Sequence, residues 1–178
     1  MVVSGLPGSG KSTLAGRLAA PLGLSVIDKD DILERLFESK GTGDAAWRRA
    51  LSRESDAIFQ DLAMGSEGAL LVSFWRVPAM PPDSGTPTAW LSQLPGRVIH
   101  LHCACSREVA AARFIRRTRH PGHLDAGLSE MEVVESVRAI AGFGSPDIVP
   151  RIDVDTSGET ELDTVAREIL RAFDRQPL

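Results

Sequence analysis

The sequence contains no asparagine, which removes every N-glycosylation acceptor and any guanine-reading motif that opens on Asn-Lys. Lysine is nearly absent too, at three residues against 17 arginines, so a lysine inside a glycine-rich loop stands out. There is no excess of positive charge. With 24 acidic and 20 basic residues the net charge is -4, which excludes a global field drawing the chain to nucleic acid or an anionic membrane and makes any phosphate binding local. No stretch approaches 18 consecutive apolar residues, so no membrane span is expected. The opening Met1-Val2-Val3-Ser4 lacks a basic n-region and an apolar h-region, and the expectation is a cytoplasmic protein without a secretion signal. The two cysteines, Cys103 and Cys105, stand one residue apart on a strand and its exit and point to opposite faces. A disulfide is excluded and a reducing compartment fits.

What is present is an alternation of short apolar runs and longer helical patterns. Strand-like runs at 1–4, 24–27, 69–73, 98–103 and 152–154 alternate with helical patterns at 11–20, 31–38, 44–64, 107–117, 129–141 and 161–173. That order predicts an α/β fold, a mostly parallel sheet with helices on both faces, and 178 residues make one domain spanning 1–178. In the last helix Leu162, Val165, Ala166, Ile169, Leu170 and Phe173 recur at three- and four-residue spacing and predict one buried stripe. Residues 76–88 carry four prolines and a glycine and form no regular element until Thr86 caps and Pro87 starts a short helix. A substrate-side loop and a solvated excursion are both consistent with it. Residues 118–127, with Pro121, Gly122 and Gly127 beside basic residues, read as a mobile flap.

The sharpest motif is Gly5-Leu6-Pro7-Gly8-Ser9-Gly10-Lys11-Ser12, followed by Thr13 and a helical pattern and preceded by an apolar strand. Glycines at 5, 8 and 10 let the backbone turn with positive φ so that successive N–H groups form an anion nest, and the helix that follows turns its amides to the same point. In such a loop Lys11 reaches the β- and γ-phosphates and the Ser12 hydroxyl takes one place on Mg²⁺. Gly5, Gly8, Ser9, Gly10, Lys11, Ser12 and Thr13 are therefore the candidate triphosphate-binding residues, with ATP and Mg²⁺ as cofactors and Ser12 as metal ligand.

The loop, the Asp28-Lys29-Asp30-Asp31 that follows and the later arginine flap together resemble the small-molecule and polynucleotide kinase branch of the P-loop kinases, the group of chloramphenicol phosphotransferase, gluconate kinase and polynucleotide 5′-kinase. The likeness covers most of the chain as an order of elements and is specific at residue level only in the phosphate loop. It implies a doubly wound, five-stranded parallel sheet, ATP with Mg²⁺, transfer of the γ-phosphate to a hydroxyl of a small molecule, and an arginine-bearing lid at about 113–127. It also implies Asp30 as the group that takes the proton of the attacking hydroxyl.

The remaining candidates surround that reading. The carboxylates sit at the C-terminal end of a parallel strand, the ligand-binding edge of open α/β sheets. Asp28 is a candidate for Mg²⁺ or substrate, and Asp30 is equally placed to cap a helix starting at Asp31. The third strand ends in Ser73-Phe74-Trp75-Arg76 where a nucleotide hydrolase carries an acid for the metal shell, which argues against a motor or switch and leaves the shell incomplete. Phe74 and Trp75 read as core or pocket wall, and Trp75 and Arg76 stand with Asp28 and Asp30 as candidate substrate contacts. Between 109 and 124 lie Arg113, Arg116, Arg117, Arg119, His120 and His123 with no acid, a local anion trap. Spacing of four puts Arg113 and Arg117 on one helix face, the candidates for the γ-phosphate. A polynucleotide or nucleoside 5′-hydroxyl as acceptor, and a nucleotide-binding regulatory or hydrolytic protein, are the alternatives. The acidic balance and the lack of an aromatic-lined basic groove disfavour nucleic acid.

Overall fold

The computed structural model describes residues 1–175. Five strands, β1 (Val2–Gly5), β2 (Ser25–Asp28), β3 (Ala69–Val72), β4 (His100–Ala104) and β5 (Arg151–Asp155), alternate with α1 (Lys11–Leu22), α2 (Lys29–Lys40), α3 (Ala45–Met64), α4 (Arg107–Arg116), α5 (Glu130–Gly142) and α6 (Leu162–Arg175). The strands form one sheet in the order β2-β3-β1-β4-β5, all parallel. β1 lies at the centre, with β3 on one side and β4 on the other, so the connections diverge at its C-terminal end and open a crevice there. No helix among the described residues is long and apolar enough to cross a membrane.

Alternation along β1 explains why helices cover both faces. Val3 joins Leu14, Leu18, Val165 and Ile169 beneath α1 and α6. Val2 points the other way, into a cluster with Ile32, Phe59, Trp75 and Trp90. Both valines are fully buried, and each such side chain removed from water stabilises the fold by about 1.5–3 kcal/mol. In α6 the expected stripe buries Val165 and Ile169, but Leu170 is 53% exposed, because a six-residue stripe is wider than the arc of one helix that meets the sheet.

Three local expectations change. α2 begins at Lys29, not Asp31, and its cap is Asp28, whose Oδ1 accepts the Asp30 amide at 2.9 Å. Asp30 therefore lies in the first turn and caps nothing. The 76–88 segment is a tethered excursion: Val77 and Met80 are buried, and Thr86, wholly buried, places its hydroxyl 2.5 Å from that of Ser73. Its hydroxyl thus ties the loop to the end of β3 instead of capping a helix, and the short 3-10 turn that follows starts later, at Ala89–Gln93. α4 ends at Arg116, and Arg117 beyond it is extended, so Arg113 and Arg117 do not share a helix face.

Candidate functional site

The crevice at the end of β1 holds the phosphate loop. Gly5, Gly8 and Gly10 all have positive φ, at 143°, 83° and 89°. A side chain at Gly5 would strike the Ser9 hydroxyl and the Cys103 carbonyl, and one at Gly8 would strike the Ala110 carbonyl, so glycine is required there for space as well as for φ. The first intrahelical bond of α1 runs from the Leu14 amide to the Gly10 carbonyl, which leaves the amides of Lys11, Ser12 and Thr13 ahead of the helical ladder and directed at the crevice. Ser9 differs from expectation: its amide donates to the Leu6 carbonyl at 3.0 Å and its hydroxyl is buried, so it shapes the loop and offers no group to a phosphate.

Lys11 folds its ammonium back onto the Gly5 and Leu6 carbonyls at 3.2 and 3.0 Å. Burial pulls its pKa down from the ordinary lysine value, opposed by Cys103, Asp30 and Asp28. Ser12 donates to Asp28 Oδ2 at 2.6 Å. That contact bears on the acid missing after β3. Asp28 is in register with Val72, the last residue of β3, so the adjacent strand supplies a carboxylate at the level where β3 has none. Ser73 itself is turned to Thr86. Burial pushes the Asp28 carboxyl up, while the Ser12 hydroxyl and the Asp30 amide hold it down less strongly.

Opposite the loop stands Asp30, whose carboxylate is about half exposed and faces the same cavity of about 530 Å³. Burial alone would raise its pKa, but Arg119 first, then His123 and Lys11, outweigh that and hold it below the ordinary aspartate value. Arg119 forks between Asp30 Oδ2 at 2.5 Å and Asp125 Oδ2 at 2.7 Å. The segment behind it is docked on α2. The His120 ring stacks on Phe37 at 5.2 Å, Gly122 fits against the same ring, and His123 Nε2 lies 2.8 Å from Glu34 Oε1.

The two arginines chosen by spacing do line this cavity, with other partners than expected. Arg113 donates to the Thr156 and Ser157 carbonyls at 2.7 and 3.0 Å, bracing the loop after β5. Arg117 lies 4.1 Å over the Phe114 ring. Trp75 and Arg76 do not enter the site. Trp75 is 3% exposed in the core and its indole N–H donates to the Val3 carbonyl at 2.8 Å. Arg76 clamps the Ser84 and Gly85 carbonyls at 2.8 and 3.1 Å. Sequence reasoning missed Arg48 on α3 and Asp125 before α5, and left Arg119 undistinguished within its cluster. No motif surrounds Arg48, and only the packing of α3 on α2 brings it to the cavity.

A family model described as an AAA domain matches residues 1–139. Over 58 residues the chain is 43% identical to a shikimate kinase from Paracidovorax citrulli strain AAC00-1, a match spanning 33% of this chain and only 28% of that protein. Among solved structures, a candidate kinase from Chloroflexus aurantiacus superposes with a TM-score of 0.73 at 23% identity, covering 96% of this chain and 97% of that one. A shikimate kinase from Bacteroides thetaiotaomicron gives 0.63 at 15% identity with 97% of each chain covered. A gluconokinase from Sinorhizobium meliloti 1021 gives 0.52 at 22%, covering 98% and 90%. At these identities the structures share the fold.

Proposed function

We propose that this chain, which belongs to the AAA domain family, is an ATP-dependent kinase that transfers the γ-phosphate to a hydroxyl of a small molecule. The observation that carries the reading is the cavity itself. Lys11, Ser12 and Thr13 form one wall and Asp30 another, which leaves room for an acceptor between a triphosphate and a carboxylate. The family, the partial match to a shikimate kinase and the kinase folds around it support the same class.

In this mechanism the loop amides and Lys11 hold the β- and γ-phosphates, Lys11 leaving its carbonyl partners to do so. The Ser12 hydroxyl and Asp28 carboxylate are hard oxygen donors already in contact and would hold a Mg²⁺. A bound Mg²⁺ would supply charge neutralisation at the β- and γ-oxygens. Asp28, with one oxygen on the Asp30 amide and the other on Ser12, is thereby engaged as a positioning group. Asp30 is the carboxylate that accepts the acceptor's proton, with Arg119 held on its Oδ2. Its depressed pKa makes it a weak base but keeps it ionised at neutral pH. A loose phosphoryl transfer, in which the proton leaves late, asks for no more.

The test is turnover of ATP with and without hydroxyl acceptors, in wild type and in Asp30→Asn. A kinase is slow on water alone, and the variant should keep ATP affinity while transfer falls by about 10²- to 10⁴-fold. Because Asp28 supplies the helix cap, the substitution leaves the start of α2 intact. Full transfer in Asp30→Asn removes Asp30 from the mechanism, and ATP hydrolysis that ignores every acceptor removes the kinase reading.

A further inference from the structure

Arg48 is the cavity's one side-chain cation that makes no hydrogen bond, ion pair or ring contact among the described residues. Lys11 rests on two carbonyls, Arg113 on two more, Arg117 on the Phe114 ring, and Arg119 on two carboxylates. Arg48 lines the same space, forms no side-chain hydrogen bond or ion pair, and buries its Nε without an acceptor. A buried donor left unmatched is costly, and guanidinium carries five donors that match a planar oxyanion.

Its position separates it from the nucleotide. Arg48, Ser52 and Asp56 follow at four-residue spacing on one face of α3, and that face meets the start of α2, where Lys29 lies 2.6 Å from Asp56 and 3.2 Å from Ser52. α4 packs against the phosphate loop, where a side chain at Gly8 would meet Ala110 and Phe114 and one at Gly10 would meet Arg113. Arg113 and Arg117, on α4 and its exit, therefore stand on the loop side of the cavity, and Arg48 lines it from α3. Asp30 on α2 and Asp125 are the acids that act on it, and both make their ion pairs with Arg119 instead.

We infer, building on the kinase reading, that the acceptor is an anionic alcohol, with its hydroxyl at Asp30 and a carboxylate or phosphate held by Arg48. Arg48 is then a specificity-determining residue. It disfavours the neutral analogue of the same acceptor because, without an oxyanion, its buried Nε has no acceptor.

The experiment uses matched pairs of probes: gluconate against glucose, shikimate against its methyl ester, and glycerol 3-phosphate against glycerol. Turnover is followed by ADP release, and binding by calorimetry with a non-hydrolysable ATP analogue present, for wild type, Arg48→Gln and Arg48→Lys. The expected result is turnover of one or more acids and not of its neutral partner. Which anion succeeds separates carboxylate from phosphate. Arg48→Gln should raise the acid's KM by about 10- to 100-fold while the KM for ATP moves far less, and Arg48→Lys should recover part of the loss. Equal use of acid and neutral partner overturns the inference and leaves the kinase reading standing. A rise in the KM for ATP alone assigns Arg48 to the nucleotide and also overturns it. Acid binding that depends on Arg48 without turnover keeps the anion site and defeats the kinase reading. If no acid binds wild type more tightly than Arg48→Gln, the anion site does not exist.

Discussion

The two ends of the cavity are built from different material. The phosphate end is made of backbone: three glycines at positive φ and the free amides of α1, all within nine consecutive residues. The opposite end is made of side chains gathered from α2, α3 and the segment between α4 and α5, with Arg119 and Asp30 joined across 89 positions of sequence. A backbone site is rigid because its atoms have no rotamers. A side-chain site has to be held by its own ion pairs, and here Arg119, Asp30 and Asp125 hold each other.

The largest effect expected at the phosphate end comes from its one essential side chain. Lys11→Ala should reduce ATP turnover by at least about 10³-fold, the scale of removing a positioned cation from a transferring phosphoryl group. The fold should not suffer, since burial disfavours this ammonium and it contacts only two loop carbonyls. Turnover and thermal melting measured together decide it. Wild-type turnover in the variant would make the loop a mere turn and erase the comparison.

A smaller effect tests how the backbone end is supported. Ser4, next to Gly5, places its hydroxyl 2.6 Å from His100 Nε2 and 2.7 Å from His102 Nδ1. One hydroxyl can donate to only one of these rings, so the other must donate to it, an arrangement suited to two neutral imidazoles. Burial first, then His102 and Arg151, lower the His100 pKa from 6.5 to about 4. The unfolded chain therefore takes up a proton below pH 6.5 that the fold refuses. His100 thus leaves stability untouched above pH 6.5 and removes it progressively as pH falls towards 4. The loss reaches about 3 kcal/mol below both values. Denaturant unfolding between pH 7 and 4 measures the slope, and His100→Gln should flatten it. An unchanged slope in that variant would assign the acid sensitivity to another group.

The same division governs what could be read in advance. The glycines, Lys11, Ser12 and the carboxylates after β2 were legible because their function depends on neighbours in sequence. The choice among Asp28, Asp30 and Asp31 as helix cap was not, because three short acids within four residues are equivalent until the strand's end is known. The register of β2 on β3 picks Asp28. Arg117 was assigned to a helix that stops one residue before it, and Arg48 lies in a helix where nothing local marks it among its arginine neighbours. Trp75 and Arg76 were taken for substrate contacts because they follow the third strand at the binding edge. The excursion behind them, closed by Ser73 on Thr86, turns both away.

Trp75 gives the smallest effect and the cleanest separation of the acceptor wall from the core behind it. Phenylalanine fills most of the indole's space among Phe59 and Trp90, whose rings lie 5.6 and 6.2 Å away, but cannot donate to the Val3 carbonyl. Trp75→Phe should therefore cost about 1–2 kcal/mol of stability, the worth of one buried hydrogen bond and a small loss of packing. Acceptor and ATP kinetics should stay within about twofold of wild type, because Ser73 and Phe74 line the cavity and Trp75 does not, and both keep their own bonds to Thr86. A substrate contact would give the opposite pattern, a raised acceptor KM with nearly unchanged melting, since a residue at the wall loses little packing when shortened. The Val3 carbonyl lies on the central strand, one residue before the buried Ser4. A displaced strand would lower turnover and stability together, and rescue of both by lower temperature would still mark Trp75 as support for the phosphate end and not as a wall of the acceptor end.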